Sequence, residues 1–287
     1  MRVAKSFVAT WAAILALYSP SASMQQRATT GGGQGRSGGG FRQPDPINFN
    51  EHEGWMSLFD GRTLNGWSGD GNWKVEDGAI VVESTCEKPT GTIYLVWQGG
   101  EAADFELKLE MKGTGNINGG VQYRGWIVPP RSGAPGGGRG QTGPCPSGQP
   151  RGTPPSPESE AQWNMAGAQY DFDAGNRFTD QFYEQETGRG IIAWKGQVVR
   201  TLPGDNRRLL ATLGDATTID ASYKPNDWNE LHIIALGNQM THVLNGRVLS
   251  VLFDHDTPRV HKSGIIGLEV EATGTLFARN IWLKKLP

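Results

Sequence analysis

Short runs of alternating apolar and polar residues recur along most of the chain. Phe105, Leu107, Leu109 and Met111 alternate with Glu106, Lys108, Glu110 and Lys112, and Leu231, Ile233 and Ala235 recur at the same spacing. A period of two puts successive side chains on opposite faces of a strand. Trp73–Val82 is broken by Asp77-Gly78, and "QMTHVL" meets "RVLSVLF" at Asn245-Gly246. Both dipeptides suit two-residue hairpin turns. Gly264–Val270 and Thr275–Leu286 read as the last two strands. No long helical periodicity intervenes, so the pattern predicts an all-β, antiparallel sandwich or barrel. One side-chain set would fill the core and the other would face water or a groove.

Sorting strand residues by face exposes candidate chemistry. Val121 and Tyr123 are expected to point inward, with Gln122, Arg124 and Trp126 outward. Tyr170 and Phe172 point inward, with Gln169, Asp171 and Asp173 outward. Leu268 and Val270 point inward, with Glu269 and Glu271 outward. Three strands thus offer four carboxylates, two amides, an arginine and a tryptophan on one face. Aspartate is poor in strands, and crowded acids raise one another's pKa, which suits acid–base work or cation binding. A divalent cation is compatible with such a face, though no residue pattern names one. Glu106, Lys108 and Glu110 read as an ordinary solvated face. "FYEQETGRGIIAW" adds Tyr183, Glu184, Arg189 and Trp194, which suit a sugar site or, equally on spacing alone, a hairpin with an ion pair. Asp254-His255-Asp256 has the residue types of a metal site, but the Thr-Pro turn that follows it disfavours that reading.

Composition narrows the setting. Met1–Ser23 has a basic start, an apolar stretch and small residues before the expected cut, the pattern of a secretory signal peptide. Residues 24–46 are Gly/Arg-rich and read as a flexible linker. Residues 47–287 suffice for one large β domain. The chain is expected in the periplasm or medium. A net charge of −2 gives no electrostatic case for nucleic acid, and the mature chain has no membrane-spanning stretch. Residues 129–157 are Pro/Gly-rich, carry Arg131, Arg139 and Arg151 without an acid, and cannot form a packed strand. The loop separates the two strands richest in candidate residues, and its arginines would complement the acidic face. A Cys86–Cys145 disulfide would pin it as a rim or lid; the alternative is two free thiols and a disordered insertion.

The stretch "GWMSLFDGRTLNGW" followed by "WKVEDGAIVVES" resembles the start of the bacterial family named for 3-keto-disaccharide hydrolase, or 3-keto-glucoside lyase/hydratase, activity. The likeness continues through "NGGVQYRG", "QYDFDAG", "YEQETGRGIIAW" and "GIIGLEVEATGTLFARNIWLKKL". It implies a concanavalin A-like jelly-roll sandwich of two antiparallel sheets with a sugar-binding face. It also implies roles for Arg124, Gln169 and Asp171, and for Tyr183, Glu184, Arg189 and Gly190 in one branch. Many relatives carry Gly-Leu-Gln-x-His where this chain reads Gly267-Leu268-Glu269-Val270-Glu271, so Glu271 replaces a histidine.

The chemistry implied is removal of the C2 proton of a 3-keto-glycoside, elimination of the C1 substituent, and hydration. Asp171 or Glu271 would be the base, Arg124 would hold the enolate oxygen, and Gln122, Gln169, Asp173, Tyr183, Glu184, Arg189, Trp194 and Glu269 would bind carbohydrate. Two rivals remain. A conventional glycosidase is disfavoured because Gln169 stands where a nucleophilic carboxylate is wanted. A non-catalytic lectin-like module is compatible with every residue above.

Overall fold

The computed structural model describes residues 43–129, 145–153 and 162–287. The expected signal peptide, most of the linker and much of the 129–157 loop, including Arg131 and Arg139, lie outside the described residues. The strands run β1 (Met56–Ser57), β2 (Trp67–Gly69), β3 (Lys74–Glu76), β4 (Ala79–Ser84), β5 (Ile93–Trp97) and β6 (Phe105–Gly115). Then follow β7 (Asn118–Ile127), β8 (Met165–Asp173), β9 (Phe182–Gln185), β10 (Gly190–Ala193), β11 (Gln197–Leu202) and β12 (Asn206–Thr212). After a helix (Ala216–Asp220) come β13 (Asn229–Leu236), β14 (Gln239–Leu244), β15 (Arg247–Asp254), β16 (Ile265–Glu271) and β17 (Gly274–Lys285).

They form two stacked sheets, a jelly-roll sandwich. The larger has ten strands, ordered β12-β11-β15-β14-β13-β6-β17-β4-β3 with β1 against β17; the smaller has seven, ordered β10-β9-β8-β7-β16-β5-β2. The expected antiparallel pairing holds with one exception: β11 runs parallel to β15. The chain reaches β11 directly from β10 of the other sheet, so β11 enters beside β15 without a hairpin to reverse it. The short helix, capped by Asp215 accepting from the Thr218 amide, is the other departure from the strand-only expectation.

Local chemistry accounts for the hairpins and the core. Asp77 and Gly78 have φ of 49° and 77°, and Asn245 and Gly246 have 49° and 79°, the left-handed pairs that tight hairpins need. Phe105, Leu107, Leu109 and Met111 of β6 are wholly buried and meet Val121, Tyr123, Tyr170, Phe172, Leu268 and Val270 of the smaller sheet in one apolar core. Lys108 departs from the expected solvated face. It is buried beneath the incoming chain, its ammonium 4.3 Å from the Trp55 ring centre and 3.4 Å from the Asn48 and Glu51 carbonyls. The same incoming stretch then buries Leu58 and Phe59, and the Trp67 indole donates to the Leu58 carbonyl at 2.6 Å. Its tryptophans thus fasten the chain start to the sandwich.

Candidate functional site on the outer face of the smaller sheet

Alternation on β7, β8 and β16 turns Gln122, Gln169, Asp171, Glu269 and Glu271 away from the core, and strand register brings them together. Glu269 lies opposite Gly120, which lies opposite Asp171. Gln122 lies opposite Gln169, and Gln169 opposite Tyr183 of β9. Gly120 therefore leaves a gap between two acids. A Cβ there would sit 2.2 Å from the Tyr170 carbonyl and 3.0 Å from Gln169 Nε2, so only glycine fits.

Amides tie the acids together. Gln122 Nε2 donates to Gln169 Oε1 at 3.0 Å, and Gln169 Nε2 donates to Glu269 Oε2 at 2.8 Å. Asn118 Nδ2 donates to Glu271 Oε1 at 2.7 Å, and Gln181 Nε2 donates to Asp171 Oδ2. Burial pushes the Asp171 carboxyl well above the usual aspartate range; Gln181 offsets part of this, and the Glu271 and Asp173 charges add to it. Burial likewise raises Glu269, helped by Glu271 and Asp171 and opposed by Gln169. Glu271 is raised by burial against hydrogen bonds from Asn118 and Thr92. Desolvation disfavours charge, so each of the three acids holds its proton more tightly than an ordinary carboxyl.

A tyrosine crosses the same face. Tyr94 of β5 accepts from Gln185 Nε2 of β9 at 3.0 Å, although β16, β7 and β8 lie between them. On a flat sheet those strands stand roughly 19 Å apart at the usual spacing, so the sheet curls around its outer face. Tyr94 packs with Val96 and Met165, flanked by Trp163 and Ile265, giving an apolar wall beside the acids.

Five expectations are corrected. A bulge interrupts the β7–β8 register between Tyr123 and Trp126, with Arg124 at φ 48° and Gly167 at φ 126°. It turns Arg124 off the Gln122 face. The guanidinium donates to the Ala103 carbonyl (2.9 Å), the Gly237 carbonyl (2.8 Å) and Asp104 (3.0 Å), tying together two loops rather than facing the acids. The bulge also displaces Trp126, which packs at a tilt against His261, ring centres 3.9 Å apart, in a surface cavity lined by Thr187, Pro258 and Arg259. Asp173 is spent on the turn after β8, accepting from the Gly175 and Arg177 amides at 2.9 Å each. Glu184 and Arg189 do not join the face. Glu184 lies opposite core-lining Ala168 and points between the sheets. There Arg189 meets Glu184 at 2.7 Å, Asp254 at 2.8 Å and Asp205 at 3.5 Å. Trp194 stands half-exposed at the turn from β10 to β11, away from the paired rows.

Sequence reasoning missed Asn118, Gln181, Tyr94 and Gln185. Tyr94 and Val96 alternate with Ile93 and Leu95, but β5 is apolar on both faces, so periodicity could not separate the wall from the core. Gln181 precedes β9 and Gln185 ends it, and no local pattern tells which residue they meet.

Cys86 and Cys145 form a disulfide, with Cα atoms 5.7 Å apart. The described part of the loop, 145–153, docks on the chain after β4: the Gly152 amide donates to the Cys86 carbonyl at 3.0 Å, and Ser147 donates to Glu87 at 2.5 Å. Arg151 belongs to this docked stretch, near Glu87. Among the described residues no group of three His, Cys, Asp or Glu side chains is arranged to hold a metal ion, and no helix is long and apolar enough to cross a membrane. Asp254 and Asp256 are taken up by Arg189 and Arg259.

Residues 54–284 match the 3-keto-alpha-glucoside-1,2-lyase-like domain. No curated protein matches the chain. Among solved structures, a putative glycosyl hydrolase from Parabacteroides distasonis is similar at 17% identity, covering 82% of this chain and 95% of its own, with a TM-score of 0.45. The carbohydrate-binding module CBM66 from Bacillus subtilis is similar at 15% identity, covering 77% and 96%, with a TM-score of 0.44. A galectin-like protein of unknown function from Bacillus subtilis is similar at 10% identity, covering 77% and 90%, with a TM-score of 0.45.

Proposed function

The chain belongs to the 3-keto-alpha-glucoside-1,2-lyase-like domain family, and from that membership we propose that it cleaves 3-keto-glycosides with a carboxylate of the outer face as base. The observation that carries this reading is the gathering of Asp171, Glu269 and Glu271 around side-chain-free Gly120, all three with raised pKa. A base and an acid near the working pH are what such an elimination needs.

The ketone at C3 makes the C2 proton acidic. Asp171 takes that proton, and its electron pair becomes the C1–C2 double bond as the glycosidic C1–O bond breaks. The departing oxygen takes a proton from a neighbouring carboxyl, Glu269 or Glu271. Water then adds to C1 and restores the 3-keto sugar. Arg124 is fully engaged elsewhere, so the phenols of Tyr183 and Tyr94 are the donors left for the enolate oxygen. The Tyr94 wall would take the apolar face of a sugar ring.

Asp171→Asn should lower turnover of a 3-keto-disaccharide by about 10²–10⁴-fold, the worth of a general base, with the melting temperature held or raised. Product analysis should reveal a 3-keto-2-hydroxy-glucal, and the unoxidised disaccharide should stay intact because its C2 proton is not acidic. Turnover unchanged by the substitution would overturn the assignment. Binding without turnover would leave a carbohydrate-binding role instead. The proposal includes export to the periplasm or medium, supported by the Met1–Ser23 pattern and the disulfide. A secreted product whose sequence starts near Met24 would agree, and one retaining Met1 in the cytoplasm would not.

A further inference from the structure

The donor ends of the Asn118, Gln122 and Gln181 amides are taken up within the face, and their acceptor ends are left over. Gln122 Oε1, Gln181 Oε1 and Asn118 Oδ1 are buried without a hydrogen-bond partner, while the opposite nitrogens hold Gln169, Asp171 and Glu271. The Gln122 and Gln181 side chains are more than nine-tenths buried. A buried, unpaired acceptor costs free energy until a donor reaches it. Among the described residues no lysine or arginine side chain bonds to Asp171, Glu269 or Glu271, because the bulge turned Arg124 away and Arg189 sits between the sheets. The phenols of Tyr94 and Tyr183 and the Thr92 hydroxyl are neutral. Among the described residues, the face is thus lined with three carboxyls and three waiting carbonyl oxygens and carries no positive charge.

We propose that this face selects its saccharide by charge: it favours a glycoside bearing a protonated amine, accepts a neutral one, and rejects one bearing a carboxylate. An ammonium supplies three donors and a charge, meeting the waiting acceptors and compensating the crowded acids together. A neutral hydroxyl supplies one donor. A uronic acid would add a fourth carboxylate to a buried group of three. Burial raises the pKa of all three acids, and the neighbouring carboxylates raise Asp171 and Glu269 further.

The inference rests on the carbohydrate reading above, and calorimetry on the full chain at neutral pH separates the two. The probes are the disaccharide of glucosamine, its N-acetylated form, cellobiose, and cellobiose oxidised at C6 of one unit to the acid. The glucosamine disaccharide should bind at least about tenfold more tightly than its N-acetylated form or cellobiose, since charge-assisted hydrogen bonds are roughly twice as strong as neutral ones. The acid should bind most weakly. Glu269→Gln should erase the preference for the amine over cellobiose. Equal affinity for the amine and its acetylated form overturns the charge selection and leaves the carbohydrate reading standing, whatever the variant does. Binding of the acid as tightly as cellobiose also overturns it. Binding of none of the four overturns the charge selection, and turnover of a 3-keto-disaccharide then decides the carbohydrate reading.

Discussion

Arg124 and Asp180 show how a single buried charge can be misread or overlooked. Arg124 looks like an active-site arginine in sequence, yet it joins the loop before β6 to the turn between β13 and β14. Its partner Asp104 also accepts from the Gly237 amide at 2.8 Å. Arg124→Ala would leave the Ala103 and Gly237 carbonyls unpaired and should cost about 2–3 kcal/mol of stability. The protein that remains folded should keep its turnover; a loss of turnover with unchanged melting would return Arg124 to the chemistry. Asp180 is the opposite case, a fully buried carboxyl with neither oxygen partnered. Burial raises its pKa well above 3.8, with Lys195 offsetting only part. A carboxyl raised on folding lends stability below its unfolded pKa, and that stability is lost as pH climbs through the folded value. Asp180→Asn should therefore raise the melting temperature at pH 7, by roughly 2–4 °C for each kcal/mol recovered, and have little effect near pH 3. A lower melting temperature at pH 7 would count against this account.

Among the strands, β9 shows where alternation suffices and where it needs a partner. Phe182 is core and Tyr183 lies on the outer face, so period two already assigns Glu184 inward; grouping it with Tyr183 as a sugar ligand set that rule aside. The same rule placed Gln122, Gln169, Asp171, Glu269 and Glu271 together without any knowledge of pairing. It failed at Arg124 and Trp126 because a bulge changes the register, and a bulge is a property of two strands. Gly125 and Gly167 were its only trace in the sequence. Glu184, Asp254 and Asp205 share the Arg189 guanidinium, and Asp254 takes both of its Nη atoms at 2.8 and 3.2 Å. Glu184 is the surplus acid, and burial raises its pKa to about 6 despite Arg189. Its contribution is present below about 4.5 and is lost as pH rises through about 6. Glu184→Gln should thus remove about 2 kcal/mol of pH-dependent destabilisation across that window. Melting curves at pH 4.5 and pH 7.5 check this, and an unchanged difference between them refutes it.

Across the whole molecule, the fold was legible because strands, hairpin dipeptides and the alternating core need no long-range knowledge. The curl of the smaller sheet was not, because it depends on Tyr94 and Gln185 meeting across three intervening strands. The Cys86–Cys145 bridge spans 59 residues. In the chain-entropy view, closing such a loop stabilises the fold by about 4 kcal/mol. Cys86→Ser/Cys145→Ser should lower the denaturation midpoint accordingly, and reductant should do the same to the parent protein. Equal midpoints with and without reductant would show that the bridge adds nothing.

The bridge also sorts the arginines of the loop into two kinds. Arg131 and Arg139 lie between Cys86 and Cys145 in the chain, and Arg151 lies beyond them. A single tryptic nick after Arg131 or Arg139 would leave two fragments still covalently joined, running as one band on a denaturing gel until thiol is added. A nick after Arg151 would free them on that gel at once, although in native solution β7 and β8, which flank the cut, would still hold the halves edge to edge.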